Sequence, residues 1–321
     1  MPISRFVFHL SIVAALLVGD GVREALSAAR PVPELYGAGL FSTGAWDFFM
    51  AFSPDQSRAL FCRADDGFSV YQIYETRRDD AGHWSTPTKP RFAGTWSNAD
   101  PHIAPDGRSV FFISNRPGPG ETASQGTFDI WFAKLDADGE WGDAVRVPAP
   151  VSLSGIDEWS PAVAANGNLY FGSEREGGRG RHDLWMSRRI GDAYEPPVNL
   201  GTSINTAGGE VEPWIAPDES YLIFSGNARA DSVNKYDIYF SRRTKGAWER
   251  ARLVEGGVST RWFDFNQSVS PDGKWLYFSS TRPNPGPIGD RFDVPRNDSL
   301  ITGIGNGKGD IYRIPLSALG L

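Results

Sequence analysis

The sequence contains little cysteine and has no cluster of basic residues. Cys62 is the one cysteine among 321 residues, so an internal disulfide is excluded. Its place in a predicted strand favours a small core residue over a catalytic thiol. The formal net charge is −7 without a run of Lys and Arg, which argues against nucleic-acid binding. No Gly-x-Ser-x-Gly elbow occurs, so an α/β-hydrolase domain is not indicated.

The sequence also lacks an apolar run long enough to span a membrane as a mature helix. The longest mainly apolar stretch, residues 6–18, follows Arg5 and precedes the small residues Ser27, Ala28 and Ala29. This layout predicts a secretory signal peptide over residues 1–29, cleaved near Ala28-Ala29; an uncleaved anchor is the alternative. Because an exported chain without disulfides is typical of bacteria, we expect a periplasmic or secreted protein.

A short motif, typically Pro-Asp-Gly followed by Leu-Tyr-Phe, recurs five times along the chain. The motifs are spaced by 51 to 60 residues, and this period is typical of a repeat architecture. The reference prolines and the alanine that replaces one of them are Pro54, Pro105, Ala165, Pro217 and Pro271.

Each copy predicts one four-stranded blade of a β-propeller. Pro-Asp-Gly joins the first two strands, a third strand opens with Asp in four of the copies, and a turn ending in an aromatic residue precedes a short fourth strand. The sequence therefore predicts an all-β, single-domain propeller over residues 30–321. The five blades are 46–94, 96–150, 157–201, 209–256 and 263–321. A sixth blade would need a degenerate copy, for which only the loop 283–308 is spare.

The last copy lacks its fourth strand, because the chain ends at Leu321 soon after the third. The strand-like segment 34–42 precedes the first copy. We expect this segment to pair with the last blade and close the ring, which removes an exposed sheet edge.

These motifs resemble the TolB-type, WD-like repeat of bacterial envelope proteins. Pro-Asp-Gly, Leu-Tyr-Phe-x-Ser, an Arg two residues later and Asp-Ile-Tyr carry the resemblance, with the linker 199–206 and Glu212-Pro213. It covers residues 34–318. The resemblance implies a monomeric binding module for an envelope protein, a peptide or a glycan, without a cofactor or a mature transmembrane segment.

Two sets of repeated positions are expected at one mouth of the central channel, because positions two apart share a strand face. Seven residues before the reference position lie Asp47, Asn98, Glu158, Glu210 and Asp264. Five residues before it lie Phe49, Asp100, Ser160, Glu212 and Asn266. Two structural interpretations stay open: Arg116, Arg175 and Arg282 pair with the Asp of strand three, or the acids of strand one bind neighbouring Arg.

From these positions we predict a binding site at the channel mouth. Its residues are Asp47, Asn98, Asp100, Trp159, Trp214 and Asn266. The alternative is a glycoside hydrolase or polysaccharide lyase that uses Glu158, Glu210, Glu212 and Asp264, with His102 placed for acid–base work. That alternative fails if Glu158 and Glu210 are salt-bridged inside the blades. Calcium is a further hypothesis, with Asp290 and Asp293 of the long loop as ligands.

Overall fold

The chain forms five antiparallel sheets that follow one another along the sequence. A computed structural model describes residues 31–118, 120–121, 123–124, 126–283 and 302–321. The predicted signal peptide and the proposed calcium ligands Asp290 and Asp293 lie outside these residues. In each sheet the innermost strand comes first in the chain and the next two strands run outward in chain order, whereas the outermost strand of the last sheet comes from the N-terminal segment.

The strands of the first three blades match the predicted repeats. Blade one contains β2 (Trp46–Phe52), β3 (Arg58–Ala64) and β4 (Tyr71–Arg77). Blade two contains β5 (Asn98–Ile103), β6 (Ser109–Ser114), β7 (Asp129–Lys134) and β8 (Val145–Arg146). Blade three contains β9 (Glu158–Val163), β10 (Leu169–Ser173), β11 (Asp183–Ser187) and β14 (Val198–Asn199), with a hairpin of β12 (Arg189–Ile190) and β13 (Ala193–Tyr194). The fourth strand predicted for blade one is reduced to a bridge between Glu75 and Thr88.

The last two blades complete the ring. Blade four contains β15 (Gly209–Ile215), β16 (Tyr221–Asn227), β17 (Tyr236–Thr244), β18 (Ala247–Trp248) and β19 (Arg252–Leu253). Blade five contains β20 (Asp264–Val269), β21 (Trp275–Ser280), β22 (Asp310–Pro315) and β1 (Glu34–Leu35). The first strands contact one another in the order β2, β5, β9, β15 and β20, and β20 contacts β2. The propeller of five blades is therefore confirmed.

Ring closure by the N-terminal segment is also confirmed. Glu34 pairs with Arg313 and Leu35 with Tyr312, and the Tyr36 amide donates to the Ile311 carbonyl over 2.8 Å. The strand itself is only two residues long. Phe41, further along the segment, is fully buried and stacks on Tyr36 with ring centroids 5.3 Å apart.

The repeated turn and the repeated aromatic strand explain why each sheet forms. The Gly107 amide donates to the Ala104 carbonyl over 2.8 Å, and φ of Gly107 is +68°, where glycine carries no steric penalty. The last residue of each Leu-Tyr-Phe run is buried between neighbouring blades. These residues are Phe61, Phe112, Phe171, Phe224 and Phe278.

Candidate functional site

The five residues that lie seven positions before the reference residues form what we call the outer ring. All five are fully buried inside their own blades. Each is bound by an arginine of the same blade, and the N···O distances lie between 2.6 and 2.9 Å. The pairs are Asp47–Arg63, Asn98–Arg116, Glu158–Arg175, Glu210–Arg229 and Asp264–Arg282. Of the two structural interpretations, the second is correct, because the strand-one residues bind these arginines.

Each of these arginines also lies over two aromatic rings of its blade. Arg229 lies 5.5 Å from the centroid of Phe224 and 4.3 Å from that of Tyr239, and Arg282 has the same relation to Phe278 and Tyr312. Each arginine further donates to a carbonyl of the segment before strand one, as Arg229 does to Ile204 over 2.7 Å. The arginine contacts of the outer ring therefore hold the strands of each blade together.

The strand-three aspartates do not pair with these arginines, and two of them bind backbone amides of the loop that precedes the strand. Asp183 accepts hydrogen bonds from the backbone amides of Arg179 and Gly180, and Asp237 accepts them from Val233 and Asn234. Only Asp129 pairs with an arginine, Arg146, which lies on the fourth strand of its blade. The expected pairing of Arg116, Arg175 and Arg282 with strand-three Asp is therefore wrong.

A β-bulge in every first strand explains why the two predicted sets separate. The pairing register shifts between Phe48 and Met50 in blade one, and equivalent shifts occur in the other four blades. The bulge residues have φ between +49° and +56°. They are Phe49, Asp100, Ser160, Glu212 and Asn266, which we call the inner ring. The bulge breaks the period-two alternation, so residues two apart no longer share a face.

Four inner-ring residues line a cavity of about 550 Å³ at the end of the ring where the first strands begin. We call this cavity the wide mouth. Asp100, Ser160, Glu212 and Asn266 contribute its polar side. Its apolar wall contains Phe48, Phe68, Tyr71, Trp159 and Tyr236. The binding residues Asp100, Trp159 and Asn266, and Glu212 of the enzyme alternative, therefore lie together as predicted.

The two carboxyl groups of the wide mouth are held by neutral donors. The Ser160 hydroxyl donates to Asp100 over 2.5 Å. Glu212 accepts hydrogen bonds from the Ser225 hydroxyl over 2.6 Å and from the backbone N–H of Asn266 over 2.7 Å. Burial raises the pKa of Asp100 to about 6. Burial, with the nearby charge of Asp100, raises the pKa of Glu212 to about 7.

The opposite end of the channel is narrower and apolar. A cavity of about 150 Å³ there is lined by four reference prolines, Pro54, Pro105, Pro217 and Pro271. His102 and Trp214 also line this narrow mouth, so their predicted place beside the acids is wrong. His102 is buried with its Nε2 3.2 Å from the Val163 carbonyl oxygen, and burial lowers its pKa to about 4.

The prediction that the outer-ring residues gather at the open mouth is also wrong. Asp47 and Asn98 were expected to bind ligand, and Glu158, Glu210 and Asp264 to serve the enzyme alternative. All five have no exposed surface and are engaged by arginine. The enzyme alternative therefore fails in the form predicted, because Glu158 and Glu210 are salt-bridged inside the blades and Asp264 pairs with Arg282.

Sequence reasoning missed much of the aromatic wall. Phe68 lies 4.9 Å from Trp46 and 5.1 Å from Tyr71, and Phe128 lies 5.8 Å from Tyr71 and 5.1 Å from Trp159, measured between ring centroids. These contacts cross three blades. Phe68, Tyr71 and Phe128 occupy loops or strand starts between strands two and three, at the predicted end of the ring, and this position was the available signal.

Among the comparisons with known proteins, the superposition on an arabinanase agrees with the fold. No family model and no curated protein matches the chain. Among solved structures, the native arabinanase Arb43A of Bacillus subtilis superposes with a TM-score of 0.51 at 14% identity, covering 88% of this chain and 97% of that chain. A protein described as TolB from Agrobacterium tumefaciens gives a TM-score of 0.47 at 17% identity, covering 84% and 90% respectively. The chain is a five-bladed β-propeller of the kind that the TolB-type repeat implies.

Two features of the described residues bear on other classes of site. No helix in this part of the chain has both the length and the apolar character to cross a bilayer. No group of three or more His, Cys, Asp or Glu side chains within it is arranged to hold a metal ion.

Proposed function

We propose that the chain is an exported binding module that holds a peptide segment of a partner protein in the wide mouth. The observation that carries the proposal is the division of polar residues between the two rings. The outer ring is occupied by the arginine contacts of the blades, whereas Asp100, Ser160, Glu212 and Asn266 line a cavity of about 550 Å³. A cavity with an apolar wall and few polar groups is typical of ligand sites.

The composition of the wall favours a peptide over a glycan. Sugar rings bind on open, flat indole faces, yet Trp159 is the one tryptophan that lines the cavity. Its ring packs against Phe128 at 5.1 Å, and Phe68 is held between Trp46 and Tyr71. Rings that pack on one another form a continuous apolar wall, which suits side chains of varied shape.

A glycoside hydrolase or polysaccharide lyase that uses a different set of acids from the predicted one is the second candidate, and Asp100 and Glu212 of the wide mouth support it. Carboxyl groups whose pKa is raised by burial are suited to acid catalysis near neutral pH. Both already accept hydrogen bonds from neighbouring serines. Hydrolysis of arabinan or an aryl glycoside that is abolished in both D100N and E212Q would favour this candidate over the binding module.

Export and calcium binding remain proposals that depend on residues outside the described part of the chain. The signal layout of residues 1–29 supports export, and Asp290 and Asp293 support calcium. Fractionation of cells that express the full chain, with N-terminal sequencing, tests cleavage near Ala28-Ala29.

The binding proposal is tested by a peptide array probed with the wild-type protein and two tryptophan variants. We expect Trp159→Ala to weaken binding by about tenfold or more, because the ring contributes a large apolar contact. Trp214→Ala at the narrow mouth is the matched control and should change binding less than about twofold. Thermal unfolding of both variants checks that they are folded.

Two outcomes contradict the proposal. Equal losses in the two variants would show that the wide mouth is not the site. Binding to a glycan array together with no binding to any peptide would replace the peptide with a glycan.

A further inference from the structure

We infer that the wide mouth recognises an organic cation, the ammonium or guanidinium group of a Lys or Arg side chain in the bound peptide. The cation would lie between the carboxyl groups of Asp100 and Glu212 and the aromatic wall. This inference rests on the proposed function and names the chemical group that the site selects.

The first observation is that these two carboxyl groups have no cationic partner. In the part of the chain that the structure describes, the ion pairs involve neither Asp100 nor Glu212, although Glu210 on the same strand pairs with Arg229 at 2.7 Å. Asp100 is 6% exposed, so water screens its charge poorly. A buried carboxylate without a countercharge is costly to the fold, and an incoming cation would offset that cost.

The second observation is the set of aromatic rings that line the same cavity as the two carboxyl groups. Tyr71 and Trp159 are partly buried, and both line the cavity together with Phe48 and Phe68. A cation near such rings gains about 0.5–2 kcal/mol, with the larger values in desolvated sites. A cavity lined by both carboxylates and aromatic rings suits an alkylammonium or guanidinium group, whose stem is apolar and whose head is charged.

The two basic side chains that line the cavity pair with Glu174 and not with Asp100 or Glu212. Arg181 lies at the rim, is exposed, and pairs with Glu174 at 3.3 Å, while His182 also pairs with Glu174 at 2.8 Å. The other titratable groups that lie near the two carboxyl groups are neutral at pH 7. They are Cys62, Tyr71 and Tyr236.

The same observations disfavour a metal ion. The described residues hold no group of three or more His, Cys, Asp or Glu side chains suited to a metal. Calcium takes six to eight oxygen ligands, whereas much of the lining beside Asp100 and Glu212 is aromatic. An organic cation fits this wall better.

Protonation of the two carboxyl groups should govern binding. Burial raises the pKa of Asp100 to about 6 and that of Glu212 to about 7, so both groups lose their charge between pH 8 and pH 5. A cation binds the ionised form. Affinity for the cation should therefore be high at pH 8 and fall as the pH drops through 7 and 6.

The test uses three capped tripeptides, acetyl-Ala-X-Ala-amide, in which X is lysine, norleucine or glutamate. Binding is measured by NMR titration of the wild-type protein, of E212Q and D100N, and of E176Q as the matched control. Glu176 is an exposed carboxylate in the loop between strands two and three of blade three. EDTA is present throughout, so that a bound divalent ion cannot mediate the contact.

We expect the lysine peptide to bind about tenfold more tightly than the norleucine peptide at pH 8, because only lysine compensates the buried charge. This preference should disappear at pH 5, shrink to less than about threefold in E212Q and D100N, and persist in E176Q. The wild-type protein offers a second readout that needs no substitution. Lysine peptide should lower the titration midpoint of the Glu212 carboxyl carbon.

The results separate this inference from the function on which it rests. Equal binding of the lysine and norleucine peptides, weakened together by Trp159→Ala, would contradict the cation and leave the peptide-binding proposal in place. A lysine preference that survives in both E212Q and D100N, or that does not change between pH 8 and pH 5, would also overturn the inference. Absence of any peptide binding, on the array as well, would contradict both.

Discussion

The outer and inner rings are two sets of residues on the same five strands, two positions apart, with different partners. Outer-ring members are almost uniform, four acids and one amide, and each is bound by an arginine. Inner-ring members differ in every blade, as Phe49, Asp100, Ser160, Glu212 and Asn266, and the two carboxyl groups among them accept hydrogen bonds from neutral donors.

The difference teaches which kind of repetition signals function in a propeller. A residue repeated in all blades meets the same need in all blades, here the fastening of strand one to strands two and three. Positions where the backbone geometry repeats but the side chain varies are free to serve a ligand. The positive φ of the bulge is the repeated feature, and the side chain that it carries is the variable one.

The largest difference between the two rings is expected when a cation is removed from the outer ring. Arg229→Met leaves Glu210 buried without its partner and should lower the free energy of unfolding by about 3–5 kcal/mol. Urea denaturation measures the loss. Arg188→Met is the matched control, because Arg188 pairs with Glu195 at an exposed site. A loss in the control as large as that in Arg229→Met would contradict the structural role of the outer ring.

A smaller effect is expected from a neutral donor of the inner ring. Ser160→Ala removes the hydrogen bond to Asp100 and should cost about 1 kcal/mol at pH 8. Because that hydrogen bond favours the ionised form, its loss should also raise the pKa of Asp100 further above its ordinary value. Carboxyl-carbon NMR reads this pKa directly. An unchanged or lower midpoint would mean that Ser160 does not hold the charge.

The smallest effect concerns Cys62, a fully buried thiol close to Asp100. Burial, with the charge of Asp100, raises the pKa of this thiol, so the reactive thiolate is scarce in the native state. We expect Cys62 to resist a thiol reagent at pH 8 in the native protein and to react fully in urea. Rapid reaction of the native protein would show that solvent reaches the interior behind the inner ring.

Much of the fold could be predicted from the sequence because the repeat contains its own turn and strand signals. Five copies of Pro-Asp-Gly with an aromatic strand fixed the blade number, and the missing fourth strand of the last copy identified residues 34–42 as the closing segment. The bulge could not be predicted. The bulge residues include Phe49 and Glu212, which are of types that rarely adopt positive φ. Local backbone preference therefore does not indicate the bulge.

The failure to predict the bulge accounts for most of the errors at the site. Strict alternation along a strand predicts that Glu210 and Glu212 share one face, whereas the bulge places Glu210 inside the blade and Glu212 in the lining of the cavity. Two of the outer-ring arginines could not be predicted for a separate reason. Arg63 lies within strand two and Arg229 follows Asn227 at the end of its strand, so neither fits the Ser-x-Arg pattern.

The most direct test of the two-ring account compares Glu210→Gln with Glu212→Gln by urea denaturation at pH 8. Glu210→Gln removes the nearer countercharge of the buried Arg229, which keeps only the half-exposed Asp231 at 3.6 Å, and should destabilise the protein by about 3 kcal/mol. Glu212 has a pKa raised to about 7, so its ionisation lowers the stability of the native state as the pH rises from about 4.5 through 7. Glu212→Gln removes that penalty and should leave stability at pH 8 unchanged or higher by about 1 kcal/mol. Equal destabilisation by the two substitutions would contradict the account.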